Sequence, residues 1–318
     1  MFKPSRRAAL GAIASLACAP SLVPRAAGAA GEKLRAAALP ISDTASFFAA
    51  LDQGYFTAEG LDVSIAPEYT GTVGLSGAVA GSYDIVYTNV PSALAAIAQG
   101  IDLRFLALAN PISPPDTTAL LTRKGENLRS VKDFVGKSVG INGFKSLQWM
   151  VMRAWIKAGG VEPDQVTLRD VPFPQMLDAL KNKQVDGIFA IEPFLSADLL
   201  DPAIDVAGHP FEVIPKVRPA GWVATGDYVT KHPDLVKKFV AGLTKGAQWI
   251  NANHGKDPFI KLVAGYTKMD PARVAQMGMP PAMSTVDAGD LRRLAQMMRE
   301  TGLLTATFDP ATKIFVAK

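Results

Sequence analysis

Three short polar runs in this sequence could hold a ligand. Asn142-Gly143-Phe144-Lys145-Ser146 combines a cation, a hydroxyl and the backbone N–H groups of a helix start at Leu147. That combination suits an anion, although Lys145 serves equally as a solvated surface charge. Ser42-Asp43-Thr44-Ala45-Ser46 offers hydroxyls and N–H groups at another helix start. The same residues read equally as helix caps, and Asp43 would repel an anion unless it caps or grips a ligand amine. In Tyr69-Thr70-Gly71-Thr72, with further glycines at 74 and 77, the backbone can approach a ligand closely, so Thr70 and Thr72 are contacts or parts of a turn. Thr88 and Asn89 stand where a strand gives way to a helix, and Glu192 ends another strand, where it could accept from a ligand or pair with Lys145. Tyr69, Phe173, Phe194 and Trp222 could wall a pocket by stacking, and each suits a core as well.

Chemistry beyond binding has little support. His209, His232 and His254 lack metal-ligand spacing, and none has a cysteine beside it. Gly74-Leu75-Ser76-Gly77 misses the nucleophile elbow by one position, the glycine run at 71, 74 and 77 is not the dinucleotide fingerprint, and there is no Walker loop. No catalytic residue, metal or cofactor is expected.

The elements that must position these runs alternate. Apolar, β-branched segments predict strands at 34–39, 61–66, 84–87, 104–108, 119–122, 138–141, 166–170, 187–191 and 221–225, with crossover-length helices between them. Leu147, Met150, Val151, Ala154 and Trp155 recur at helical spacing over 147–158, a core-facing stripe that Gly159-Gly160 ends. After Pro233 the pattern is mostly helical, at 234–253, 258–266, 271–277 and 287–301. Trailing helices after an alternating stretch imply a chain that returns to finish its first lobe. The expected division is 31–122 plus 223–318 for one lobe and 123–222 for the other, an α/β class with ligand at strand ends.

The first thirty residues read as an export signal. Lys3, Arg6 and Arg7 precede a mildly apolar stretch, and Ala27-Gly28-Ala29 offers small residues for cleavage. Pro20 and Pro24 interrupt the stretch, so it is not expected to span a membrane. Ser5-Arg6-Arg7 fits a twin-arginine signal, with Ala9 where that motif usually carries Phe, so the general secretory route stays open. Cys18, the only cysteine, lacks the aliphatic residue three positions earlier that lipidation needs; Ser15 stands there. Lys3, Arg6, Arg7 and Arg25 are the only charges before Glu32, which leaves 29 Lys+Arg against 29 Asp+Glu in the remainder. A balanced mature chain gives no charge argument for nucleic-acid or membrane binding.

Five runs in order, ALDQGYFTAEGLDVSI, AGSYDIVYTNVPSALAAIAQGIDLRFLA, NLRSVKDFVGKSVGIN, LKNKQVDGIFAIEPF and YVTKHPDLVKKFVAGLTKGAQWINAN, together resemble the solute-binding proteins of ABC importers of the nitrate, sulfonate and taurine type. That branch includes binders of thiamine-precursor pyrimidine and of aromatic carboxylates. The resemblance implies a type II-like periplasmic-binding-protein fold with crossing segments near 122–124 and 219–223 and a ligand in the interlobe cleft. It also implies a periplasmic monomer that hands a small molecule to a permease and its ATPase. An organic anion, a sulfonate or carboxylate with aromatic ones included, is the expected solute; a pyrimidine or vitamin precursor, a sensor module for a membrane kinase and a lyase on the same fold are the alternatives.

Overall fold

The computed structural model describes residues 31–68, 70–111, 117–214 and 218–316; the expected export signal and Tyr69 lie outside them. The chain runs β1 (Glu32–Ala38), α1 (Ala45–Asp52), α2 (Tyr55–Ala58), β2 (Leu61–Pro67), α3 (Gly71–Val79), β3 (Ile85–Asn89), α4 (Val90–Ala98) and β4 (Leu103–Leu108). It continues through β5 (Thr118–Arg123), β6 (Ser138–Ile141), α5 (Leu147–Ala158), β7 (Thr167–Asp170), α6 (Phe173–Lys181), β8 (Gly187–Ile191), α7 (Phe194–Asp198) and β9 (Ile204–Gly208). It closes with β10 (Ala220–Thr225), α8 (Gly226–Lys231), α9 (Pro233–Asn253), α10 (Asp257–Thr267), α11 (Pro271–Val274) and α12 (Ala288–Glu300).

Among the described residues ten strands form two five-stranded sheets, ordered β2-β1-β3-β10-β4 and β7-β6-β8-β5-β9. The orders match place for place. In each sheet the fourth strand is antiparallel to its neighbours and comes from the far side of a crossing. This corrects the expected division at both crossings. The expected division gives β5 to the first lobe up to Thr122, but all of it pairs with β8 and β9 in the second sheet. The same division splits β10 at Trp222, but all of it pairs with β3 and β4 in the first. The crossings therefore precede these strands, between Leu108 and Thr118 and between Gly208 and Ala220. An apolar run announces a strand without saying which sheet accepts it.

Burial explains why the elements stay where they are. Behind β10, Trp222 packs on Phe47 (ring centroids 4.7 Å apart), Phe239 (5.3 Å) and Tyr87 (5.5 Å). α9 crosses α1 so closely that a Cβ on Gly246 would stand 2.0 Å from the Ser46 carbonyl oxygen, so only glycine fits there. Next to the second crossing, buried Arg218 donates to Asp290 on α12 at 2.7 Å and to the Thr285 carbonyl at 2.8 Å. Removing one partner of such a buried pair leaves an uncompensated charge, which fixes the path of the chain into β10.

Candidate functional site

A cavity with about 740 Å³ of empty space, its open mouth included, lies between the ends of the two sheets. From the first sheet come Leu39, Ile41, Ser42 and Asp43 after β1, Tyr87 and Asn89 at the end of β3, and Pro219 and Ala220 at the start of β10. From the second come Thr117 and Thr118 at the start of β5, Asn142, Ser146, Leu147 and Gln148 after β6, Phe173 at the start of α6, Ile191 at the end of β8, and Phe211. Pro111 in the first crossing completes the lining. Parallel strands bring their carboxyl ends to this edge. The antiparallel β5 and β10 bring their amino ends: Thr118 pairs with Ile191, and Ala220 with Asn89.

Local chemistry fixes the polar groups. Asn89 caps α4 by accepting from the Ser92 backbone N–H at 2.9 Å, and Ser146 caps α5 by accepting from that of Trp149 at 3.3 Å. Gln148 accepts from the Asn142 backbone N–H at 2.7 Å and donates to the Phe189 carbonyl at 2.8 Å, so it ties the loop after β6 to the sheet. Ser42 reaches across from the first sheet's side: its N–H and its hydroxyl both lie 3.4 Å from the Glu192 carbonyl oxygen beyond β8. Two groups from opposite halves therefore meet beside the cavity.

Asp43 is the single charged side chain among the described lining residues. It lies deep in the molecule, and the surface it retains faces the cavity. The Tyr87 hydroxyl donates to its Oδ2 at 3.1 Å. Burial pushes the carboxyl up to about 6, which the Tyr87 hydrogen bond only partly offsets. Burial, and then the charge of Asp43, push the Tyr87 phenol well above its ordinary value.

The candidates from the sequence divide. Ser42, Asp43, Asn89, Asn142 and Ser146 line the cavity, as does Phe173. Others are placed elsewhere. Thr44 is fully buried and its hydroxyl donates to the Leu39 carbonyl at 2.6 Å, while Ser46 is pressed against α9. Thr88 is buried within β3. Thr70 and Gly71 start α3, and Thr72 borders a separate surface groove. Gly143, at φ 91°, donates its N–H to Asp170 at 2.9 Å. Lys145, at φ 56°, is exposed and borders the same groove as Thr72, so it pairs with neither the cavity nor Glu192. Glu192 is buried outside the lining, where its carboxylate accepts from the Ser196 hydroxyl and, at 3.2 Å, from the Ser196 N–H. Phe194 stacks on Phe173 with centroids 5.7 Å apart. Trp222 belongs to the aromatic core rather than the pocket wall, since its place in β10 turns it toward Phe47 and Phe239.

Sequence reasoning passed over Tyr87, Thr117, Thr118, Gln148, Phe211 and the apolar lining at Leu39, Ile41 and Ile191. A search of strand carboxyl ends finds Ile191 but not Thr117 or Thr118, which open an antiparallel strand. Among the described residues no group of three or more His, Cys, Asp or Glu could hold a metal ion, and no helix is long and apolar enough to cross a membrane.

Comparison with known proteins fits this geometry. The family described as NMT1/THI5 like matches residues 41–255. The chain belongs to that family. Among its relatives within reach of sequence comparison, the nitrate/nitrite binding protein NrtA of a Nostoc strain is 25% identical over 277 residues, covering 80% of this chain and 62% of that protein. The bicarbonate-binding protein CmpA of a Synechococcus strain is 24% identical over 269 residues, 76% of this chain and 60% of that protein. This NMT1/THI5-like chain thus spans about 60% of the length of these curated relatives. The alkanesulfonate-binding protein SsuA of Xanthomonas axonopodis pv. citri, solved with MOPS bound, superposes with a TM-score of 0.77 at 18% identity, covering 90% of this chain and 99% of the other. That likeness establishes the periplasmic-binding-protein fold for this family member. The named homologues are binding proteins rather than enzymes.

Proposed function

We propose that this chain is the extracytoplasmic receptor of an ABC importer, which closes its two sheets around a small organic solute and presents it unaltered to a permease and its ATPase. One observation carries the reading: polar groups from the strand ends of both sheets converge on a single cavity, and Ser42 of one half meets the Glu192 carbonyl of the other beside it. Such a joint is what a hinge closure makes and breaks, and a solute that touches both walls favours the closed state. The two crossings would be the hinge. Export through the twin-arginine route, with removal of residues 1–30, belongs to the same proposal.

An anionic group on the solute, a carboxylate or sulfonate, is supported by Ser146 and the amino end of α5, whose first N–H groups have no acceptor within the helix. Lys145 does not add its charge, because it is exposed outside the cavity. A thermal-shift screen of residues 31–318 against sulfonates, aromatic carboxylates, nitrate, bicarbonate and pyrimidines tests the receptor reading. A solute at about a hundred times its Kd should add roughly 2.7 kcal/mol of stability. Conversion of the hit into a product would contradict it.

A further inference from the structure

Within the receptor reading, on which this rests, we infer that the solute is dipolar: a nitrogen that donates to Asp43 at one wall, and an acceptor group that meets Ser146 and the amino end of α5 at the other.

Charge comes first. Among the described residues no Lys, Arg or His forms an ion pair with Asp43, and none lines the cavity. Among the described residues the one hydrogen bond to its carboxylate comes from the neutral Tyr87 hydroxyl. A buried carboxylate without a counter-charge is costly, and it is relieved either by a proton or by a donor brought in by the ligand. A purely anionic solute would add a second negative charge beside it.

The second sheet's wall has the opposite character. Ser146 caps a helix of twelve residues whose first N–H groups lie at the cavity. Thr118, 2% exposed and also in the lining, has a buried hydroxyl with no partner in the protein. That wall therefore offers donors, and the first offers an acceptor. Between them Leu39, Ile41, Phe173 and Phe211 suit an apolar body. The ligand chemistry that satisfies all three surfaces is an amine, or another N–H-bearing nitrogen, joined through a short apolar body to a carboxylate or sulfonate.

Calorimetry with pairs of equal shape that differ only at the nitrogen tests this: taurine and propanesulfonate, beta-alanine and butyrate, para-(aminomethyl)benzoate and para-ethylbenzoate. At least one aminated member should bind about tenfold or more tightly than its partner, and Asp43→Asn should cut that ratio below about threefold. No aminated member binding more tightly than its partner overturns the inference. Because Asp43→Asn can disturb folding, wild-type protein supplies a second measure. Amine affinity should rise about tenfold per pH unit up to about 6, where Asp43 becomes ionised, and then level off. Tyr87 and Tyr266, which also face Asp43, stay neutral throughout, and Glu192 changes charge at about 7, above that range. His209, its Nδ1 3.4 Å from the Thr118 carbonyl oxygen, is controlled by His209→Gln, in which the slope should persist. A flat profile overturns the inference. If only deaminated members bind and shrink the particle in solution scattering, the dipolar solute falls and the receptor stands. If no solute of any class does so, both fall.

Discussion

Asp43 and the pair Glu192 and Asp198 are acids withdrawn from bulk water in different ways: Asp43 is half-buried at a cavity, and the pair is buried in protein. Asp43 keeps surface that faces the cavity, with Tyr87 as its one donor among the described residues. Glu192 and Asp198 are sealed in protein: Glu192 is held by Ser196, and one carboxyl oxygen of Asp198 has no partner. Burial pushes Glu192 up to about 7; burial, then the charges of Glu192 and Asp178, push Asp198 up to about 7. An acid that touches a cavity can be relieved by a ligand, so its ionisation appears in binding as well as in stability. A sealed acid can be relieved only by a proton, so its ionisation appears in stability alone.

The sharpest way to break this comparison is to collapse the wall on which Asp43 rests. Trp222→Ala opens a hole behind β10, beside Phe47 and Phe239, and should cost about 3–5 kcal/mol in urea unfolding. A loss under about 1 kcal/mol would mean that Trp222 is not the support of that wall.

The sealed pair comes next in size. Between the ordinary carboxylate range and about 7 the folded chain binds more protons at Glu192 and Asp198 than the unfolded chain does. Their contribution is therefore fully present at low pH and is lost as pH rises through about 7. Unfolding measured at about pH 5 and about pH 8 should differ by an amount on the order of a few kcal/mol, and Asp198→Asn should flatten the difference. Stability that climbs over that interval and is unchanged by Asp198→Asn would contradict the account.

Smaller changes separate the two walls. Ser146→Ala removes the cap of α5 and should cost about 1 kcal/mol of stability while weakening an acceptor-bearing solute severalfold in calorimetry. Equal weakening of a solute with no acceptor group would point to general damage instead. Lys145→Ala should leave affinity within about twofold, because that side chain is exposed outside the cavity. A tenfold loss would restore Lys145 as a ligand contact.

Much of this molecule was legible from residue order. Nine strands carry the apolar runs, most of them with β-branched residues, that announce them, and α5 ends at the Gly159-Gly160 stop expected for it. β9 was not legible, because Ile204-Asp205-Val206-Ala207-Gly208 is too short and mixed to stand out. The polar loops after β1, β3 and β6 could be read because parallel strands carry their binding loops at the carboxyl end. Thr117, Thr118, Pro219 and Ala220 could not, since antiparallel strands reach the same edge with their amino ends, and pairing direction is set by tertiary structure. Lys145 misled for a related reason. Its left-handed backbone, at φ 56°, turns the side chain away from the helix start that its neighbours build.

Small-angle scattering of residues 31–318, titrated with the solute that stabilises them most, addresses closure itself. The radius of gyration should fall and saturate at the concentration where calorimetry places half-occupancy, while the solute is recovered chemically unchanged. Saturable binding with an unaltered scattering curve would mean that the two sheets do not close on what they hold.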